Sequence, residues 1–123
     1  MATAPAALIT NGKYISKGVY SMGWSATVAG VGNPMYAAAL PDKTFQLQGP
    51  TGGTSNIVIE GTNGSTVSTA TWITLTTPTD GLIDFTNVTG SILKVIRENP
   101  RMIRPNFVTV TTGKTLTCTI IAR

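Results

Sequence analysis

The stretch Phe107-Val108-Thr109-Val110-Thr111-Thr112-Gly113-Lys114-Thr115-Leu116-Thr117-Cys118-Thr119-Ile120-Ile121 alternates apolar and small polar residues on both sides of a Thr-Gly-Lys break. A period of two puts successive side chains on opposite faces of a pleated strand, and threonine and β-branched residues suit such a half-buried surface. The break supplies a glycine able to take positive φ, so residues 107–111 and 115–121 read as a terminal hairpin. Cys118 falls on the apolar side with Leu116 and Ile120 and reads as a small buried hydrophobe.

The same period runs outward through most of the chain. Phe45 and Leu47 alternate with Thr44, Gln46 and Gln48; Ile57 and Ile59 alternate with Asn56 and Glu60. Ile73 and Leu75 alternate with Trp72, Thr74 and Thr76, a strand that predicts Trp72 in the core. Residues 92–96 form a further apolar run. Asn11-Gly12, Asn33-Pro34, Gly49-Pro50, Asn63-Gly64, Asp80-Gly81 and Asn99-Pro100 punctuate these runs as turns. The spacing predicts an all-β protein, an antiparallel β-sandwich or jelly roll of about eight strands. Met35-Tyr36-Ala37-Ala38-Ala39-Leu40, closed by Pro41, is the best helix candidate and is equally readable as a strand. Residues 18–32, with Tyr20, Met22 and Trp24 on alternate positions, read as an irregular strand or a bulged edge segment. Residues 1–12 lack a packing pattern and read as an extended N-terminal arm, leaving 13–123 as a single sandwich domain.

A chain of 123 residues fits one domain that can bury a core without covalent staples. Only 11% of residues are charged, well below the usual quarter, which argues for a surface of Thr, Ser, Gly and Asn or one covered by neighbours. The net charge of +4 permits an anionic partner without requiring one. One cysteine allows no internal disulfide, as in cytoplasmic proteins. Residues 1–9 lack the basic start and apolar stretch of a signal peptide, and no run is long enough to cross a bilayer. Synthesis in the cytoplasm, with no membrane partner, is the expectation. The sequons Asn63-Gly64-Ser65 and Asn87-Val88-Thr89 then carry no modification.

Without histidine, Ser-His-Asp and Cys-His catalytic arrangements cannot be built, and a reactive Cys118 would lack its usual base. One cysteine cannot make a structural zinc site. Asp80 and Asp84 flank a turn and could hold a cation, but a turn former beside a solvated charge is the plainer reading. Gly113-Lys114-Thr115 resembles the end of a phosphate-binding loop, yet the earlier glycine that loop needs falls on Val108. The expectation is a protein that is not an enzyme, with no catalytic residues, cofactor or metal. One cluster stands out in a chain so short of charge: Arg97, Arg101 and Arg104, with Lys94 nearby. It is either a solvated strand end partly neutralised by Glu98 or a protein interface, where the planar guanidinium pairs with carboxylates and carbonyls. Nucleic acid is the weaker reading, because the aromatic residues do not interleave with the basic ones. Trp24, Trp72 and the tyrosines on a β scaffold leave a carbohydrate-binding module as a further alternative.

The order Ile57-Val58-Ile59-Glu60-Gly61-Thr62-Asn63-Gly64, Thr71-Trp72-Ile73-Thr74-Leu75, Asp80-Gly81, Ile96-Arg97-Glu98-Asn99-Pro100-Arg101-Met102-Ile103-Arg104-Pro105 and the alternating C-terminal run resembles small virion proteins of tailed bacteriophages. Across residues 55–123 the layout is similar to that of jelly-roll capsid decoration, or cement, proteins. The resemblance implies a structural protein on the outside of the capsid shell, often trimeric, that bridges capsomers with the major capsid protein as its partner. It also implies roles for residues 1–11 as a reaching arm and for Arg97, Arg101 and Arg104 as anchors. Neck, tail and head-fibre-base proteins share similar sandwiches and are the alternative location on the virion.

Overall fold

Alternation of β-branched or aromatic residues with Ser, Thr and Gln gives strands with one face to bury, and two such faces stacked make a core. The computed structural model describes residues 9–10 and 12–123. Among them are thirteen strand segments and no helix. These are β1 (Ile9–Thr10), β2 (Lys13–Ser16), β3 (Val19–Ala26), β4 (Gly30–Val31), β5 (Lys43–Gly49), β6 (Asn56–Thr62) and β7 (Ile73–Thr74). They continue with β8 (Thr76–Thr77), β9 (Gly81–Leu82), β10 (Asp84–Phe85), β11 (Gly90–Ile96), β12 (Met102–Thr109) and β13 (Leu116–Ala122).

The segments build two antiparallel sheets. In the larger sheet the order is β3-β13-β5-β11, with β1 and β2 both along the free side of β3. In the smaller sheet the order is β4-β12-β6, with β7 and β10 both along the far side of β6. Counting β7–β10 as one broken strand position and setting aside the short flanking strands β1 and β2 leaves eight principal strands, arranged 1-8-3-6 over 2-7-4-5. Successive strands cross between the sheets at every step but one, which is the double Greek key of a jelly roll. The β8–β9 hairpin, closed by the Asp80-Gly81 turn with Gly81 at φ 82, leans against the end of β11.

The core fills the space between the sheets. Trp24, Phe45, Leu47, Leu116, Cys118 and Ile120 come from the larger sheet and Ile57, Ile59, Ile103 and Phe107 from the smaller; all are essentially inaccessible. Trp24 donates its indole N–H to the Asn33 carbonyl at 2.9 Å, so its one polar atom is paired inside. Burial pushes the Cys118 thiol far above the ordinary range, which keeps it protonated and inert.

Three expectations change. Residues 107–111 and 115–121 do not pair as a hairpin: β12 lies between β4 and β6, whereas β13 lies between β3 and β5 in the opposite sheet. The Thr112-Gly113-Lys114 turn spans the sandwich, and Gly113 at φ 75 turns the chain from one layer to the other. Within residues 18–32, β3 is not an edge, because it is flanked by β13 on one side and by β1 and β2 on the other, whereas β4 is an edge of the smaller sheet. Residues 35–40 are neither helix nor strand: Met35 makes a single bridge to Ile103 and the chain then turns. The arm read over residues 1–12 lies mostly outside the described residues, and its Ile9–Thr10 part pairs with Trp24 and Ser25 of β3.

Candidate interaction surface

Five residues, 97–101, join β11 to β12 and so bridge one end of the sandwich from sheet to sheet. Their polar groups are tied down in sequence. The Arg97 N–H donates to the Thr76 carbonyl at 2.8 Å. Glu98 accepts from the Thr76 N–H at 2.8 Å and from the Thr76 hydroxyl at 2.5 Å. Partial burial works against ionisation of Glu98, but these bonds and Arg97 outweigh it and hold the carboxyl below its ordinary range. Asn99 donates to the Ala38 carbonyl at 2.8 Å and accepts from the Lys43 ammonium. Arg101 donates its N–H to the Asn63 side chain at 3.1 Å. The loop is thus fixed from inside by Glu98 and Asn99, while the Arg97 and Arg101 side chains are exposed.

Arg104 behaves differently, because it sits in β12 directly opposite Glu60 of β6. Its Nε donates to Glu60 Oε1 at 2.7 Å, with both side chains mostly covered, and its guanidinium lies 3.8 Å from the centre of the Trp72 ring. A carboxylate and an aromatic face together occupy this guanidinium. The three arginines therefore do not form one anchor: Arg97 and Arg101 present free side chains, and Arg104 is spent within the fold. Trp72 is half-buried on the surface of the smaller sheet rather than in the core, and Ile73 beside it is exposed. Trp24 is enclosed and Arg104 already occupies one face of Trp72, which weighs against a carbohydrate module that stacks sugars on open tryptophan rings.

Lys43 was not singled out by the sequence. It opens β5 and is 1% exposed, its ammonium donating to the Leu40 carbonyl at 2.7 Å and to Asn99. Burial pushes its pKa below the ordinary lysine range against the pull of the adjacent Asp42. Lys43 makes no ion pair among the described residues; those pairs are Lys94–Asp80 at 2.7 Å and Arg104–Glu60. Asp80 is accordingly a turn residue paired to Lys94. Around Lys43 lies a concavity of about 390 Å³, walled by Pro41, Pro78, Val95 and Ile96 and edged by Asp42, Arg97 and Arg123. Arg123 is held there by reciprocal backbone bonds with Asp42, at 2.9 and 3.0 Å.

The outer face of the larger sheet is the second feature. The register places Ser21, Gly23 and Ser25 of β3 beside Ile121, Thr119 and Thr117 of β13. These lie beside Thr44, Gln46 and Gln48 of β5, and then Val95, Leu93 and Ser91 of β11. Three positions on each of four strands make twelve, and none is charged. An ordinary surface would place a charge at about three or four of twelve positions. Leu93 stands 69% exposed and Val95 48%. The outer face of the smaller sheet, by contrast, carries Glu60, Asp84 and Arg104.

No protein-family model matches the sequence, and no curated protein matches it. Among solved structures, the SPBc2 prophage-derived protein YomS aligns with a TM-score of 0.57 at 14% identity, covering 98% of this chain and 99% of that one. A cupin domain from Bordetella pertussis Tohama I aligns over 99% of each chain at 10% identity, with a TM-score of 0.48 too low to carry an argument. The likeness to YomS is one of fold.

Proposed function

We propose that this protein is a structural component of a tailed-phage virion that docks on the outside of the capsid shell and bridges neighbouring capsomers. The observation that carries the proposal is the uncharged area that β3, β13, β5 and β11 make on the outer face of the larger sheet, with Lys13 of β2 at its margin beside Ser21. Charge depletion over a continuous patch with exposed Leu93 and Val95 is the composition of an interface centre, where each buried ion would cost desolvation energy. The layout of residues 55–123 and the fold shared with a prophage-derived protein support a phage setting. Many weak copies on one lattice convert modest single contacts into strong retention. Formation of a trimer, with the major capsid protein as partner, belongs to the same proposal. The exposed Arg97 acts as a contact at the rim of the docking face; the exposed Arg101, at the smaller-sheet end of the same loop, contacts a neighbour away from that rim, and Arg104 makes no such contact.

Sedimentation with shells of the encoding phage that lack the protein tests this reading. The protein pellets with shells at a fixed stoichiometry, and a Gln46→Glu, Thr119→Lys variant stays in the supernatant while keeping its circular dichroism. Equal pelleting of both overturns docking through this face, failure of the unaltered protein to pellet overturns shell docking, and immunogold label confined to one vertex of the particle favours a neck, tail or fibre-base location instead.

A further inference from the structure

We infer that the concavity beside Lys43 receives a carboxylate side chain, an aspartate or glutamate set among apolar residues in a partner protein. Two arginines, Arg97 and Arg123, edge it with one acidic residue, Asp42, and the Lys43 ammonium lies enclosed behind its wall. A guanidinium presents its N–H groups in a planar fork that matches a carboxylate, and two of them edge this cavity without an ion pair among the described residues. Lys43 adds a positive charge from below, enclosed and balanced by carbonyl oxygens rather than by a contacting anion. An entering carboxylate supplies that countercharge.

The walls decide between a bare ion and a peptide. Pro41, Pro78 and Val95 offer apolar surface to the residues flanking an acidic side chain. A volume of about 390 Å³ exceeds what a single small anion fills. The site is also ordered in advance: the Arg97 N–H is bound to Thr76, and Glu98 and Asn99 fix the following residues, so little loop freedom is lost on binding. Thr44 and Val95 belong both to the cavity and to the uncharged sheet face. The cavity is therefore the charged rim of that face, the arrangement of a protein interface with an apolar centre. The inference rests on the shell-docking proposal only for the source of the acidic segment.

Titration of the isotope-labelled full chain with Ac-Leu-Glu-Leu-NH2, Ac-Leu-Gln-Leu-NH2 and inorganic phosphate tests it without any shell. The glutamate peptide produces saturable shifts at the Thr44, Val95 and Arg97 amides, which weaken as salt rises. The glutamine peptide binds more weakly, and Arg97→Gln or Arg123→Gln each reduces glutamate-peptide affinity about threefold to fivefold. Both variants alter exposed side chains, and an unchanged amide spectrum elsewhere verifies their fold. Equal binding of the two peptides, shifts away from the cavity, or phosphate outcompeting the glutamate peptide overturns the inference. None of those results bears on whether the protein pellets with shells.

Discussion

At the scale of single residues, the fold uses charge sparingly, and a few charged groups are built into its interior. Glu60 and Arg104 are partners across one rung of the smaller sheet, so removing one leaves the other charge covered and unpaired. Arg104→Met lowers unfolding free energy by about 1–3 kcal/mol, and adding Glu60→Gln recovers part of the loss, as measured by urea unfolding. Glu98 gives a pH signature. Its folded pKa lies below the unfolded value near 4.5, so its contribution is present above that pH and fades as pH falls through the folded value. Glu98→Gln therefore costs roughly 1 kcal/mol at neutral pH, and the two stability curves converge on acidification. The arginine cluster was visible in sequence, but its division was not. Whether a guanidinium is free depends on what lies across the strand, and Glu60 is 44 residues from Arg104. Lys43 gave no sign of burial, because Asn99 and the Leu40 carbonyl come to it from a distant loop and a turn.

At the scale of elements, period two identified β5, β6, β11 and β13 because each sends large apolar side chains to the core at alternate positions: Phe45 and Leu47, Ile57 and Ile59, Ile92 and Ile96, Leu116 and Ile120. It failed for Ile73, which stands 60% exposed, although Leu75 does reach the core: β7 ends at Thr74, so the pleat is not carried through the whole run. It failed also for the terminal hairpin. A Thr-Gly-Lys turn between two alternating runs reads the same whether the runs pair with each other or face each other across a core, and local sequence cannot separate the two. Close approach between elements is legible only in structure. A Cβ on Gly49, where β5 meets Gly90 of β11, would run into the Val88 carbonyl oxygen. Backbone cannot yield there as a flexible side chain could, so Gly49→Ala destabilises by about 1–3 kcal/mol, as thermal or urea unfolding will read.

At the scale of the whole molecule, the low charge content becomes intelligible. It is concentrated as an absence over one sheet face, and composition alone could say that charge was missing but not where. The jelly roll presents that face as a four-stranded surface, with the cationic concavity at its rim and the Glu60–Arg104–Trp72 stack on the opposite layer. The most direct measurement is a cryo-EM reconstruction of shells carrying the bound protein. The account predicts density on the shell exterior with Thr117, Thr119, Gln46 and Leu93 turned toward the capsid and the Trp72 face outward. Density with that sheet face open to solvent, or none on the shell at all, would contradict it.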